Sequence, residues 1–115
     1  MHHSRIENVA GHITPHANQV VIISYCRTPI GSFGGSLSTI EPSKLAAIAI
    51  EHCFQRENVY LRATPSDVDE VLLGHVLSAG CGQAPVRQAA LQASIPMGVP
   101  CTSINKVCAS GMKAL

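Results

Sequence analysis

The chain has 115 residues, of which 46% are hydrophobic and 13% are charged, and its formal net charge at pH 7 is +1. This composition is typical of a buried α/β core and argues against a disordered chain. The balanced charge gives no sign of the basic surface that binds nucleic acids or anionic membranes. Two tyrosines, two phenylalanines and no tryptophan also argue against a platform on which bases stack. We therefore expect neither nucleic acid nor membrane as a partner.

The chain begins with a polar leader, residues 1–18, which lacks a core pattern, and the folded part is expected to be residues 19–115. Residues 19–25 contain the β-branched run Val-Val-Ile-Ile, which is typical of a strand buried on both faces. Residues 27–36 hold one proline and three glycines, and they are expected to form a loop.

The rest of the chain alternates between helical and extended patterns. A wide apolar stripe predicts a well-buried helix over residues 43–55, and Pro85 suits the first turn of a helix that ends at Ile95. Strands are expected around residues 70–77 and over residues 99–105. The predicted order is βαβαβα, an α/β fold with a mostly parallel sheet and right-handed crossovers.

Cys108 lies where the third predicted strand gives way to small residues and then to a helical pattern. Such a position presents a nucleophile, because the strand is stiff, the turn is tight and the N–H groups at a helix start stabilise a thiolate. The strand–turn–helix arrangement parallels the elbow that exposes a nucleophilic serine. The small residues 109–111 leave room for a substrate to approach.

The other four cysteines are expected to be free thiols that serve packing. No C-x-x-C pair and no secretory signal occur in the sequence, and those four cysteines are Cys26, Cys53, Cys81 and Cys101. Most histidines lie in the leader without cysteine partners, so no metal site is expected. These leader histidines are His2, His3, His12 and His16.

Three segments resemble the thiolase family, and specifically its acetyl-CoA acetyltransferase branch. They are residues 27–37 (Arg-Thr-Pro-Ile-Gly-Ser-Phe-Gly-Gly-Ser-Leu), residues 82–90 (Gly-Gln-Ala-Pro-Val-Arg-Gln-Ala-Ala) and residues 105–114 (Asn-Lys-Val-Cys-Ala-Ser-Gly-Met-Lys-Ala). The resemblance covers residues 19–115. It implies a thiolase-like fold, in which two similar α/β halves stack in five layers, and it implies that this chain is an N-terminal fragment that supplies the first part of the first half.

The resemblance also implies a role for Cys108. It matches the nucleophile that takes the acyl group from a coenzyme A thioester, and its backbone N–H matches a donor to the thioester oxygen. The implied reaction condenses two acetyl-CoA to acetoacetyl-CoA and coenzyme A, or reverses this, without a permanently bound cofactor. The residues that bind coenzyme A stay unassigned. The activating histidine and second cysteine belong to the family's C-terminal half, so the fragment alone is expected to be inactive and the full-length enzyme to be a homo-oligomer.

Other residues in these motifs are interpreted as structural. Ser110 and Gly111 are expected to serve tight packing, Arg87 to cap or pair, residues 31–35 to form a packed turn, and His75 to pack.

Two alternatives to the acetyltransferase stay open. One is a related enzyme, a 3-ketoacyl-CoA thiolase of broader chain length or, more remotely, a decarboxylating ketoacyl synthase. Lys106, Ala109 and Met112 favour the acetoacetyl branch over these. The other alternative is a truncated, non-catalytic association partner.

The leader contains a second resemblance. Arg5 and Ile6 are separated by five residues from His12 and Ile13. This pattern resembles the type 2 peroxisomal targeting signal, although Ile13 replaces the usual leucine or alanine. The resemblance implies a peroxisomal location. The alternatives are a cytoplasmic or a mitochondrial location.

Overall fold

The computed structural model describes residues 20–55 and 63–115. The predicted leader, residues 1–18, lies outside these ranges. The elements in chain order are α1 (Pro42–Gln55), a 3-10 turn (Pro65–Asp67), β1 (Val71–Gly74), α2 (Pro85–Gln92), β2 (Cys101–Ile104) and α3 (Ser110–Ala114). No helix within the described ranges is long and apolar enough to cross a membrane.

The two strands form a parallel sheet, which confirms the predicted α/β class. Val71 pairs with Cys101 at one end and Gly74 pairs with Ile104 at the other. The His75 N–H continues the ladder by donating to the Ile104 carbonyl at 2.9 Å. Because parallel strands end at the same edge of a sheet, the segments that follow β1 and β2 leave side by side, and α2 forms the crossover between the strands.

The core lies between the two long helices and one face of the sheet. Small side chains, Ala47 on α1 and Ala90 on α2, are fully buried here, so the two helices approach each other closely. Half-buried Phe54 and Val71 pack around the cluster. Its buried members are Ala47, Ala90, Ala93, Ile95 and Val99.

Helix α2 ends earlier than the sequence predicts, at Gln92 instead of Ile95. Ser94 takes the left-handed conformation, with φ of 61°, and its N–H donates to Leu91 while the Ile95 N–H donates to Ala90. This pair of bonds is a Schellman motif, which satisfies the last helical carbonyls. Ile95 is then buried as the apolar contact that usually accompanies the motif.

The predicted first strand is wrong within the described residues. The structure assigns no strand within residues 20–55, and Val20 and Ile22 are 96% and 69% exposed. A run of β-branched residues becomes a strand only where a neighbouring strand and a covering layer receive it. The described sheet consists of β1 beside β2, and residues 20–25 are not one of its strands.

Candidate active site

Cys108 lies in the short connection between β2 and α3, and its thiol is exposed. β2 ends at Ile104 and α3 begins at Ser110. The carbonyls of Lys106 and Val107 accept hydrogen bonds from the N–H groups of Ala109 and Ser110, at 3.0 and 3.1 Å. These bonds close a tight turn around Cys108. The predicted strand–turn–helix setting of this residue is therefore present.

The residue before Cys108 has a strained backbone. Val107 has a φ of 48°, in the left-handed region that β-branched residues rarely enter. Such a conformation costs about 1–3 kcal/mol and persists only where its surroundings hold it. The strain therefore points to specific contacts that fix this turn.

The Ser110 hydroxyl supplies two of these contacts. It accepts a hydrogen bond from the Lys106 N–H at 2.8 Å and donates one to the Val107 carbonyl at 2.6 Å. The residue is only 4% exposed, so its hydroxyl is shielded from water, although both bonds are partly buried because Lys106 and Val107 are exposed. The sequence interpretation assigned Ser110 to packing alone, and the structure adds this polar role. The available signal was a small hydroxyl residue at the start of a helix, where such side chains bond to backbone groups of the preceding turn.

Asn105 fixes the other side of the turn. Its side-chain carbonyl accepts the Val107 N–H at 3.0 Å, and its amide nitrogen donates to the Val76 carbonyl at 3.4 Å. The second bond joins the turn after β2 to the segment after β1. The two strand ends are thus connected at the edge of the sheet where Cys108 lies.

Glycine at position 74 lets α3 approach β1. A Cβ atom on Gly74 would lie 2.7 Å from the backbone nitrogen of Gly111 and from the backbone carbon of Ser110. The end of the strand therefore touches the first turn of α3 without a side chain between them. This close contact determines the distance between the Cys108 turn and the sheet.

Arg87 has a structural role, although it binds loop carbonyls and not the ion-pair partner or helix end that the sequence predicts. Its guanidinium donates to the Val99 carbonyl at 2.9 Å and to the Met97 carbonyl. Both bonds attach α2 to the loop that leads into β2. Residues 31–35 also form the predicted turn, closed by the Gly35 N–H on the Ser32 carbonyl at 2.9 Å. This turn is exposed at its tip, where Phe33 is fully accessible, so it is not packed as expected.

The remaining candidate groups do not join this site. The His75 imidazole lies 4.0 Å from the thiol of Cys81. Cys26 is exposed, contrary to the expected packing role. Among residues 20–55 and 63–115 no cluster of three or more histidine, cysteine or acidic side chains is positioned to hold a metal ion. The leader histidines lie outside these ranges.

The family profile described as "Thiolase, N-terminal domain" matches residues 20–115. The chain belongs to the thiolase family. It is 53% identical over 96 residues to an acetyl-CoA acetyltransferase of Schizosaccharomyces pombe, an alignment that covers 84% of this chain and 23% of the relative. It is 52% identical over 101 residues to a mitochondrial acetyl-CoA acetyltransferase of Danio rerio, covering 88% of this chain and 23% of the relative.

A solved thiolase has the same architecture. The crystal structure of a thiolase from Ascaris suum in complex with coenzyme A superposes with a TM-score of 0.73 and 37% identity, over 80% of this chain and 23% of that one. The fold is therefore that of a thiolase. The thiolase chain described here spans less than a quarter of the length of the relatives that it matches.

Proposed function

We propose that this chain contributes the nucleophile of an acetyl-CoA acetyltransferase, with residues 19–115 as part of the N-terminal thiolase domain. The observation that carries the proposal is the exposed Cys108 thiol on a turn held by Ser110 and Asn105. The relatives named acetyl-CoA acetyltransferase support the reaction, and the neighbour solved with coenzyme A supports a coenzyme A thioester as substrate.

The first chemical step is acyl transfer to sulfur. The Cys108 thiolate attacks the carbonyl carbon of acetyl-CoA, a new carbon–sulfur bond forms, and the bond to the coenzyme A sulfur breaks. Coenzyme A leaves as a thiolate and takes up one proton. In the second step a second acetyl-CoA loses its α-proton, and its carbon attacks the acetyl group on Cys108. Acetoacetyl-CoA forms and the cysteine thiolate is released.

The Cys108 N–H is proposed as a donor to the thioester oxygen as negative charge develops there. Such a donor is effective only when it is held in place before the reaction. Hydrogen bonds on both sides support this role, because the Val107 N–H is fixed by Asn105 and the Val107 carbonyl by Ser110.

The other groups of the reaction are proposed from the family resemblance. A histidine that activates Cys108 and a second cysteine that takes the α-proton belong to the C-terminal half of a thiolase. The loop region that binds coenzyme A is also expected from the part of a thiolase that residues 1–115 do not cover. Because such groups act as a unit, residues 1–115 by themselves are expected to turn over very little. A homo-oligomer is the expected state of the complete enzyme.

The test is to trap the acyl-enzyme. The complete gene product is incubated with acetyl-CoA carrying a labelled acetyl group, quenched in acid, and digested for mass analysis. The label is expected on the peptide that contains Cys108, and Cys108→Ser is expected to lower turnover at least about 1,000-fold. Cys26→Ser is the matched control, since Cys26 is the other exposed thiol. Label on a different cysteine, or turnover by Cys108→Ser near that of the unchanged enzyme, would refute the assignment.

Chain-length preference separates the two catalytic readings. An acetoacetyl-CoA thiolase is expected to cleave acetoacetyl-CoA and to lose activity steeply as the 3-ketoacyl chain grows. Equal rates on longer 3-ketoacyl-CoA substrates would favour the broader thiolase. Failure of the complete gene product to acylate any cysteine would favour the association partner.

The compartment is proposed to be the mitochondrion. Relatives from Danio rerio and Bos taurus carry that location in their names, and neither these names nor that of the Schizosaccharomyces pombe relative supports the peroxisomal expectation. The relevant residues, 5–13, lie outside the described ranges. A fluorescent reporter fused to residues 1–18 tests both locations. A reporter found in mitochondria supports the proposal. A reporter found in peroxisomes, and in the cytosol when Arg5→Ala is introduced, supports the peroxisomal targeting signal instead.

A further inference from the structure

We infer that Ser110 is a positioning residue for acyl transfer: its hydroxyl holds Val107 in the left-handed conformation and thereby orients Cys108. The inference rests on the proposed role of Cys108 as nucleophile. It goes beyond that role because it assigns a function to a buried hydroxyl that does not itself touch the substrate.

The hydroxyl bonds to the backbone on both sides of the strained residue. The Lys106 N–H donates to Ser110 Oγ at 2.8 Å, and Ser110 Oγ donates to the Val107 carbonyl at 2.6 Å. A hydroxyl has one proton to donate, and here that proton is used on Val107 while a lone pair serves Lys106. One buried side chain therefore bonds to two backbone groups that bracket Val107, in addition to the Ser110 N–H, which also donates to the Val107 carbonyl at 3.1 Å.

Because the backbone of Val107 is strained, these bonds are needed to keep it in the left-handed conformation. With φ at 48°, a valine side chain is forced against its own backbone, and removal of the restraining bonds favours a return to negative φ. The Val107 carbonyl and the Cys108 N–H belong to the same peptide unit. A rotation at Val107 therefore moves both the proposed oxyanion donor and the thiol-bearing residue.

A packing role alone predicts something different. If the Ser110 side chain only fills space, alanine at this position leaves the direction of Cys108 unchanged, because the contact between Gly74 and α3 is made by backbone atoms. If Ser110 positions Cys108, the thiol of Ser110→Ala stays reactive toward simple alkylating reagents. Its attack on the thioester becomes slow, because that attack needs a defined geometry.

The experiment compares two reactions of Cys108 in the complete gene product. Acylation by labelled acetyl-CoA requires that the Cys108 N–H and the Cys108 thiol are correctly placed relative to each other. Alkylation by iodoacetamide requires only that the reagent reaches the thiol. In Ser110→Ala we expect acylation to slow by about 100-fold, the loss that a displacement of about 1 Å produces, while alkylation of the folded protein changes little. Ser66→Ala, at an exposed position on the 3-10 turn, is the matched control for loss of a serine hydroxyl.

A second substitution tests the backbone mechanism. Glycine adopts positive φ without strain, so Val107→Gly in the Ser110→Ala background should recover part of the lost acylation rate. The double variant also carries the test if Ser110→Ala alone does not fold. A folded double variant that acylates faster than Ser110→Ala, or that acylates at a measurable rate where the single variant cannot be isolated, supports the inference.

The contrary outcomes are distinct. If the unchanged enzyme places no acetyl group on Cys108, the proposed function fails and the inference fails with it. If the unchanged enzyme acylates Cys108 and Ser110→Ala does so at the same rate, only the inference fails. It also fails if acylation and alkylation fall by the same factor, or if the double variant is unfolded or no faster than the single one.

Discussion

Gly74, at the end of β1, lies against the backbone of Gly111 in the first turn of α3, so closely that a Cβ atom at position 74 would be 2.7 Å from the Gly111 nitrogen. The relationship is not symmetrical. Apart from its chain neighbours and the backbone of its own helix, a Cβ atom on Gly111 would meet no atom of the described residues within 4 Å. Glycine is therefore required sterically at one member of this pair, and the strand end and the Cys108 turn are held at the distance that its missing side chain allows.

The first prediction follows from this asymmetry. Gly74→Ala places a methyl group against backbone atoms, which cannot rotate away as a side chain can, and overpacking of this kind costs about 1–3 kcal/mol. We expect the free energy of unfolding of the complete protein, measured by urea titration, to fall by this amount. Gly111→Ala is the control and should change it by less than about 1 kcal/mol, because alanine favours a helix and finds open space. Equal destabilisation by both substitutions would contradict the proposed contact.

The second prediction concerns Arg87. Its guanidinium bonds the carbonyls of Val99 and Met97, and hydrogen bonds to a charged donor contribute about 1.5–3 kcal/mol each. Arg87→Met retains much of the apolar stem and removes these bonds. Because the bond to Met97 is exposed to solvent, the unfolding free energy should fall by about 2–3 kcal/mol, close to the contribution of one such bond. The ratio of acylation to alkylation at Cys108 should stay constant, since the hydrogen bonds of Arg87 go to Val99, Cys101 and Met97 and not to the Cys108 turn. A selective loss of acylation would show that the arginine acts on the substrate.

Much of this arrangement can be predicted from sequence because it depends on local patterns. The apolar stripe of α1 and the proline at the start of α2 are both set by nearby residues, and the strand–turn–helix setting of Cys108 follows from the change of pattern there. The run of residues 20–25 fails as a strand because strand formation depends on a partner elsewhere in the fold. A local pattern cannot supply that partner.

The features missed at the site are of another kind. The contact of the Ser110 hydroxyl with Lys106 and Val107 depends on the left-handed backbone of Val107, and valine is a residue type for which sequence gives no reason to expect that conformation. The early end of α2 has the same cause, a left-handed Ser94. Unusual backbone conformations at residues other than glycine are determined by tertiary contacts and so remain hidden in a single sequence.

The third prediction is a pH dependence. The Thr64 N–H and hydroxyl both donate to one carboxylate oxygen of Asp67, at 2.8 and 2.7 Å, and these bonds hold the pKa of Asp67 below its usual value of 3.8. A lowered pKa in the folded state means that the carboxylate stabilises the fold above pH 3.8 and loses this effect as the pH falls through the folded-state pKa. Stability should therefore decline in this acidic range.

Asp67→Asn tests this dependence. Urea midpoints measured across the acidic range should fall less steeply for Asp67→Asn than for the unchanged protein, and the two curves should converge at the lowest pH. Asp69→Asn, a neighbouring exposed position, controls for loss of one negative charge. The effect is expected to be small because Asp67 is exposed to solvent. The prediction would be contradicted if the urea midpoint fell equally steeply with decreasing pH in the unchanged protein and in Asp67→Asn.

The fourth prediction concerns residues 1–115 expressed alone. Large apolar side chains are exposed at several places on the described surface, with Val20 at 96%, Phe33 at 110% and Leu77 at 84%. Leaving ~1,000 Å² of apolar surface in water forgoes ~25 kcal/mol, which exceeds the ~5–15 kcal/mol net stability of a typical domain. This chain should therefore self-associate, bind a hydrophobic dye such as ANS, or remain insoluble, and its apparent melting temperature should depend on concentration. Val20→Asp combined with Phe33→Asp should reduce dye binding and association, because each charge replaces an exposed apolar side chain, while Ser66→Asp adds a charge at a position without one and should change neither. A monomer with a sharp melting transition that is independent of concentration would show that these side chains are covered by contacts within the chain itself.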